Sequence, residues 1–322
     1  MGLSRLERNV ELYKTMYLIR HAEEKICKHY HEDDMKTPTH LCIGAEAIEA
    51  SVCSAMSEMD QIFGTYRSHG IYLAKGGQLG PFYAELCGRK DGIAKGKTGS
   101  MHLTSVECGF LGASAIVGST IPLALGAAFA NKKNKNEKIV YVFFGDGAIE
   151  EGAFWESVNV ACLMKLPIVF VCEDNELAIH SSLEDRRGFR HIAQVMRQFE
   201  CCVFESSSTD CEELYEITLS ALDSLKTTGK PSFLHFKYYR YYEHVGVRED
   251  FEYGYRDRAD FLTWRARDPL QLQKHKLGLL GFKQDKLNSL EVEILRDIDE
   301  KYEMALNSDI PAIDELYRDV LA

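Results

Sequence analysis

Two short apolar runs, IVYVFF at residues 139 to 144 and IVFVC at 168 to 172, flank one helix-length segment. Runs so continuous in Val, Ile and Phe suit strands buried on both faces, as parallel strands of an α/β sheet are. A single crossover helix between them makes the unit strand–helix–strand, with the two strands parallel and adjacent. Each run ends in polar residues: Gly145-Asp146-Gly147 after the first, Glu173-Asp174-Asn175 after the second. Both clusters therefore stand at the carboxyl ends of neighbouring strands, where open α/β sheets bind ligands. The expected fold is α/β, a three-layer α/β/α arrangement with a mainly parallel sheet.

An Asp between two glycines is most often a plain turn. Paired with an Asn at the next strand end it acquires a chemical meaning. A carboxylate plus an amide oxygen suits Mg²⁺, a hard cation that takes oxygen ligands and is usually completed by phosphate oxygens. Gly147 and Ala148 are expected at the start of the crossover helix, whose free N–H groups and dipole favour a phosphate. The stretch reads as a site for a magnesium-bound diphosphate.

Composition narrows the partners. In 322 residues, 45% hydrophobic and 27% charged, there is room for one large α/β domain or two small ones. A net charge of −11 argues against nucleic acid as a main partner. No apolar run reaches the length of about 18 residues that a membrane helix needs. The start, MGLSRLERNVELYK, lacks the apolar core of a signal peptide, and Leu6 stands where a myristoylation site wants Ser or Thr. The chain reads as cytoplasmic. Its ten cysteines show no CxxC pair and no Cys/His spacing for zinc.

An amphipathic helix is expected over residues 5 to 30, and another carries Leu287, Leu290, Ile294, Ile298, Tyr302 and Ala305. Between them run glycine-bearing loops, a small-residue helix opened by Pro122, and a strand at 232 to 240 followed by YYEHVGVRED. With no linker, residues 1 to 322 read as one domain with short helical segments at each end.

The glycine-bearing segments carry a resemblance. HLCIGAEA, TYRSHG, GKTGSMH, GASAIVGSTIPLALG, the GDG-to-Asn175 motif and RYYEHVG occur in the order found in the alpha subunits of thiamine diphosphate-dependent 2-oxo acid dehydrogenases of the pyruvate and acetoin dehydrogenase type. The resemblance implies Mg²⁺ held by Asp146, Asn175 and the Leu177 carbonyl. It implies a diphosphate met by Tyr66, Arg67, Gly147, Ala148 and His244, and an aminopyrimidine ring resting on the Ala115 to Val117 turn. It also implies two histidines at the reacting centre, His40 beside the substrate carbonyl and His244 beside the diphosphate and an incoming lipoyl group. Imidazole suits steps that create negative charge and move protons near neutral pH. By the same resemblance the chain works with a beta subunit that supplies the catalytic glutamate, in a heterotetramer of two alpha and two beta chains, and passes an acyl group to a lipoyl acyltransferase core. Pyruvate is the first substrate expected, with acetoin or a branched 2-oxo acid as alternatives.

Three positions depart from the family pattern. Asp174 replaces the first Asn of the usual pair, Glu243 replaces a glycine, and Val245 stands where mitochondrial relatives carry phosphorylated serines. A catalytically silent cofactor-binding subunit is therefore the alternative of another class. A nucleotide hydrolase fails on spacing: in GIAKGKT, three residues separate Gly92 from Gly96 where a phosphate-binding loop needs four.

Overall fold

The computed structural model describes residues 3–318; Met1 and Gly2, which open the myristoylation pattern that Leu6 breaks, lie outside them. Strands form at β1 Gln61–Thr65, β2 Phe110–Ser114, β3 Val140–Gly145, β4 Ile168–Asp174, β5 Leu177–Ala178, β6 Ser181–Ser182, β7 Cys202–Ser206 and β8 Ser232–Lys237. Six of them make one sheet in the order β2-β1-β3-β4-β8-β7, and every pairing in it is parallel. Strands β5 and β6 form a separate two-residue hairpin.

Alternation along the strands sends side chains into two layers. From β3 and β4, Val140, Val142, Phe144, Ile168, Phe170 and Cys172 enter one core, with the helices Thr120–Lys133 and Gly152–Met164. Tyr141, Phe143, Val169 and Val171 enter the other, under the helices Arg5–His29, Glu46–Ala55, Cys211–Thr228 and Gln284–Leu306. The arrangement is the expected three-layer α/β/α. Because both faces are covered, these strands have no polar side to show, which is why they read as unbroken apolar runs.

Several boundaries differ from the sequence reading. Gly147 and Ala148 lie in a 3-10 turn, Asp146–Glu150, and the crossover helix begins only at Gly152. The small-residue helix opens at Thr120, two residues before Pro122, and β8 ends at Lys237 rather than continuing to Arg240. The terminal helices are not short: they span 25 and 23 residues and belong to the core. Among the described residues no helix is long and apolar enough to cross a membrane.

A buried ion network ties the first helix to the body. The Arg20 guanidinium, 4% exposed, binds Glu46 through Nε and Asp268 Oδ2 at 3.1 Å, and Tyr241 donates to the same Oδ2 at 2.9 Å. Removing the cation strands two buried carboxylates. Arg20→Ala is therefore expected to cost about 3–5 kcal/mol, read as a lowered urea midpoint. A midpoint equal to that of the parent would show that the network does not hold the helix in place.

Candidate active site

Strand β1 lies between β2 and β3, so the chain leaves β1 in one direction and returns on its other side. At such a reversal the loops diverge and leave a crevice at the strand carboxyl ends. Tyr66 and Arg67 follow β1, Ala115 and Val117 follow β2, Asp146 follows β3, Asn175 follows β4, and the segment bearing His244 follows β8. The expected site residues thus issue from five strands of one sheet at the same edge. His40 reaches it from the loop before the helix Glu46–Ala55.

Two loops carry the histidines and are joined by backbone. Gly246 N donates to Thr39 O at 2.9 Å and Tyr241 N to Ile43 O at 3.2 Å, and His40 pairs with Gly246 as an isolated bridge. Gly44, at φ +110°, makes this approach feasible: a Cβ there would sit 2.0 Å from the Tyr239 carbonyl oxygen. The rings of His40 and His244 lie 5.2 Å apart edge-on, with the Tyr66 ring 4.4 Å from His40 and 5.7 Å from His244.

Arg67 braces both loops. It is buried and donates to Leu41 O, to His244 O at 3.0 Å, and lies 3.4 Å from His244 Nδ1. Burial first, and then the Arg67 charge, push both histidines down to about 3, so they are neutral near pH 7. His40 Nδ1 is buried and unpaired among the described residues.

On the other side of the crevice, Asp146 is fully buried. One of its oxygens, Oδ2, is held by Arg186, and Arg187 donates to the Asp146 carbonyl at 2.5 Å. Both arginines also bind Glu150, at 2.6 and 2.5 Å. The second oxygen, Oδ1, is buried with no hydrogen-bond partner among the described residues. Such an orphan is costly unless something else meets it, and a cation does so. Burial, then the neighbouring Asp174 charge, raise the Asp146 pKa against the arginines.

Asn175 is oriented by its neighbours: Nδ2 donates to Tyr238 Oη at 2.9 Å and Oδ1 accepts from Leu177 N at 3.1 Å. Gly147 opens the turn between Asp146 and the hairpin, where a Cβ would come 3.0 Å from Ala178 Cβ. Among the described residues no cluster of three or more His, Cys, Asp or Glu is placed to hold a metal. A cation here needs a mixed oxygen set, which the Asp146 carboxylate, the Asn175 amide and the Leu177 carbonyl can supply. The residues fit the expected group. A cleft of about 1150 Å³ opens beside them, lined by Asn175, Leu177, Arg187, Arg190, Tyr238 and Trp264.

The departures from the family pattern are accommodated locally. Asp174 has partners of its own: its Oδ2 meets His235 Nε2 at 2.6 Å and its Oδ1 accepts from Glu176 N at 2.8 Å. Burial opposes its charge, but the His235 contact prevails and holds its pKa below the usual carboxylate range. Glu243 folds back on its own loop, accepting from Arg248 N at 3.0 Å.

Sequence reasoning passed over Arg186, Arg187 and Tyr238. The adjacent arginines in LEDRRGFR were a charge signal, but nothing local placed them on Asp146.

The chain matches the model of a protein family described as "Dehydrogenase E1 component" over residues 13–314. It is 31% identical over 315 residues to the pyruvate dehydrogenase E1 component subunit alpha of Rickettsia bellii (strain RML369-C), covering 98% of this chain and 96% of that protein. The protein of the same name from Rhizobium meliloti (strain 1021) is 31% identical, over 98% of this chain and 90% of the relative. The one from Zymomonas mobilis is 32% identical, over 98% and 89%.

Proposed function

Because this chain belongs to the dehydrogenase E1 component family, we propose that it is the alpha subunit of a thiamine diphosphate-dependent 2-oxo acid dehydrogenase that decarboxylates pyruvate. The observation that carries the reading is the convergence of Tyr66, Arg67, Asp146, Asn175 and His244 at one sheet edge, with an unpaired buried oxygen on Asp146. When bound, thiamine diphosphate supplies the electron sink for loss of CO₂.

The work of the chain is binding, orientation and electrostatics. Asp146, Asn175 and the Leu177 carbonyl hold Mg²⁺. Gly147, Ala148, Tyr66, Arg67 and His244 meet the diphosphate, and Ala115 and Val117 line the aminopyrimidine slot. His40 and His244, kept neutral, can donate or accept a hydrogen bond where charge develops at the substrate oxygen. An anion bound beside Arg67 offsets the charge that helps depress both histidines, and so moves their pKa values back toward about 6.5.

Apolar side chains that follow β2 are exposed. Ile116 and Val117 are 71% and 42% exposed, and Leu123 and Phe129 on the following helix are exposed as well. Exposed apolar side chains on one turn and the helix that follows it suit an interaction face. On this proposal a beta subunit covers it and brings the glutamate for the aminopyrimidine, in a heterotetramer of two alpha and two beta chains. The acyl group passes to a lipoyl acyltransferase core. Residues 1 to 322 act as one domain, in the cytoplasm.

The test is to produce the chain with and without a beta subunit, measure mass, and assay pyruvate, acetoin and branched 2-oxo acids. Pyruvate turnover by the two-chain assembly and none by the single chain is the expected result. Full activity of the pure single chain would defeat the partner model, and a preference for acetoin would move the substrate assignment.

A further inference from the structure

Two of the glycine-bearing motifs meet on one carboxylate that has no role so far, and a third joins them through a histidine. Glu23, fully buried in the last third of the helix Arg5–His29, accepts the Cys42 N–H with both oxygens, at 3.0 and 2.8 Å. Its Oε1 also lies 2.9 Å from His69 Nδ1, and the other nitrogen of His69 is 2.7 Å from Ser100 Oγ. With an ionised carboxylate and a neutral imidazole, Nδ1 donates to Glu23 and Nε2 accepts from the Ser100 hydroxyl. Cys42 stands two residues after His40, His69 two after Arg67, and Ser100 within GKTGSMH.

A Ser–His–Glu chain in this order has the connectivity of a hydrolytic triad. Glu23, His69 and Ser100 are each 1% exposed or less, so no substrate reaches them. The donors that satisfy the buried carboxylate belong to the turns that carry the proposed site. His40 depends on such a turn, because its own Nδ1 has no partner among the described residues and its ring is located by backbone and by packing on Tyr66. The turn is gripped from two sides: Arg67 takes the Leu41 carbonyl and Glu23 takes the Cys42 amide.

We propose that Glu23 is a positioning residue that sets the Leu41–Gly44 turn, and with it His40, at the reacting centre. The inference rests on the reading of His40 as catalytic. Misplacing a reacting group by about 1 Å can cost about a hundredfold in rate, so a small shift of this turn is felt in turnover while binding surfaces elsewhere are spared.

The experiment is a double-mutant cycle of Glu23→Gln and His40→Ala in the assembled two-chain enzyme. Glu23→Gln should lower kcat by about tenfold or more, leave KM for pyruvate and the thiamine diphosphate Kd within about twofold, and add no further loss on top of His40→Ala. Losses that multiply in the double variant, or an unchanged kcat in Glu23→Gln, would overturn the proposal. If Glu23→Gln does not assemble, Glu23→Asp goes through the same cycle; it keeps the charge but draws the carboxylate back from the Cys42 amide by one methylene. Multiplying losses or unchanged kcat in that variant would equally overturn it. Full turnover in His40→Ala alone would instead remove the catalytic reading of His40.

Discussion

Replacing Asp146 by Ala should weaken binding of thiamine diphosphate in the presence of Mg²⁺ by at least about a hundredfold. Loss of an outer partner of a metal ligand already costs about ten- to a hundredfold, and Asp146 is proposed as a direct ligand. Its Oδ1 is buried and has no other partner among the described residues, so nothing nearby substitutes for it. Asp146→Asn keeps an oxygen but loses the charge that balances the cation, and should fall between Asp146→Ala and the parent. Titration calorimetry with and without a chelator is the measurement. Near-parent affinity in Asp146→Ala, or binding indifferent to chelator, would sink the magnesium bridge.

His40→Ala and His244→Ala should each reduce turnover by about two to four powers of ten, with circular dichroism close to that of the parent. The two rings are 5.2 Å apart and share Tyr66, so their losses should not multiply in the double variant. A variant that keeps full turnover with a lipoyl acceptor would lose its assigned role. These substitutions also have a signature in stability. Both histidines have folded pKa values near 3, below the unfolded value of about 6.5. Their neutral forms therefore favour the fold above pH about 6.5, and that contribution is lost as pH falls from there toward 3. Each alanine variant should flatten the acid-side decline of stability over that window. An unchanged slope would show that the rings are not held neutral.

Much of the fold was legible in local pattern. The runs at β3 and β4 appear as continuous apolar segments because the sheet is covered on both faces, and the polar residues after them mark the strand ends where the crevice opens. The strand pattern put Asp146 and Asn175 at neighbouring strand ends, and the family resemblance assigned Tyr66, Arg67 and His244 to the same diphosphate. The start of the crossover helix is not legible in the sequence, because Asp-Gly-Ala-Ile-Glu is equally able to open a helix or form a 3-10 turn. That choice is made by Gly147 fitting against Ala178 and by Arg187 drawing on the Asp146 carbonyl.

What the sequence determined by itself is the layered parallel architecture and the chemical kind of each strand end, since both follow from periodicity and residue type within one segment. Only the tertiary structure decided which groups those ends meet. Arg67, proposed to meet a phosphate, also braces Leu41 and His244. Arg186 and Arg187 reach Asp146 from beyond the hairpin, and Glu23 gathers two distant turns and, through His69, a third. Hydrogen-bond partners far apart in the chain are selected by packing, because a buried donor or acceptor must be satisfied by whatever the fold brings within about 3 Å, and that choice leaves no period in the sequence.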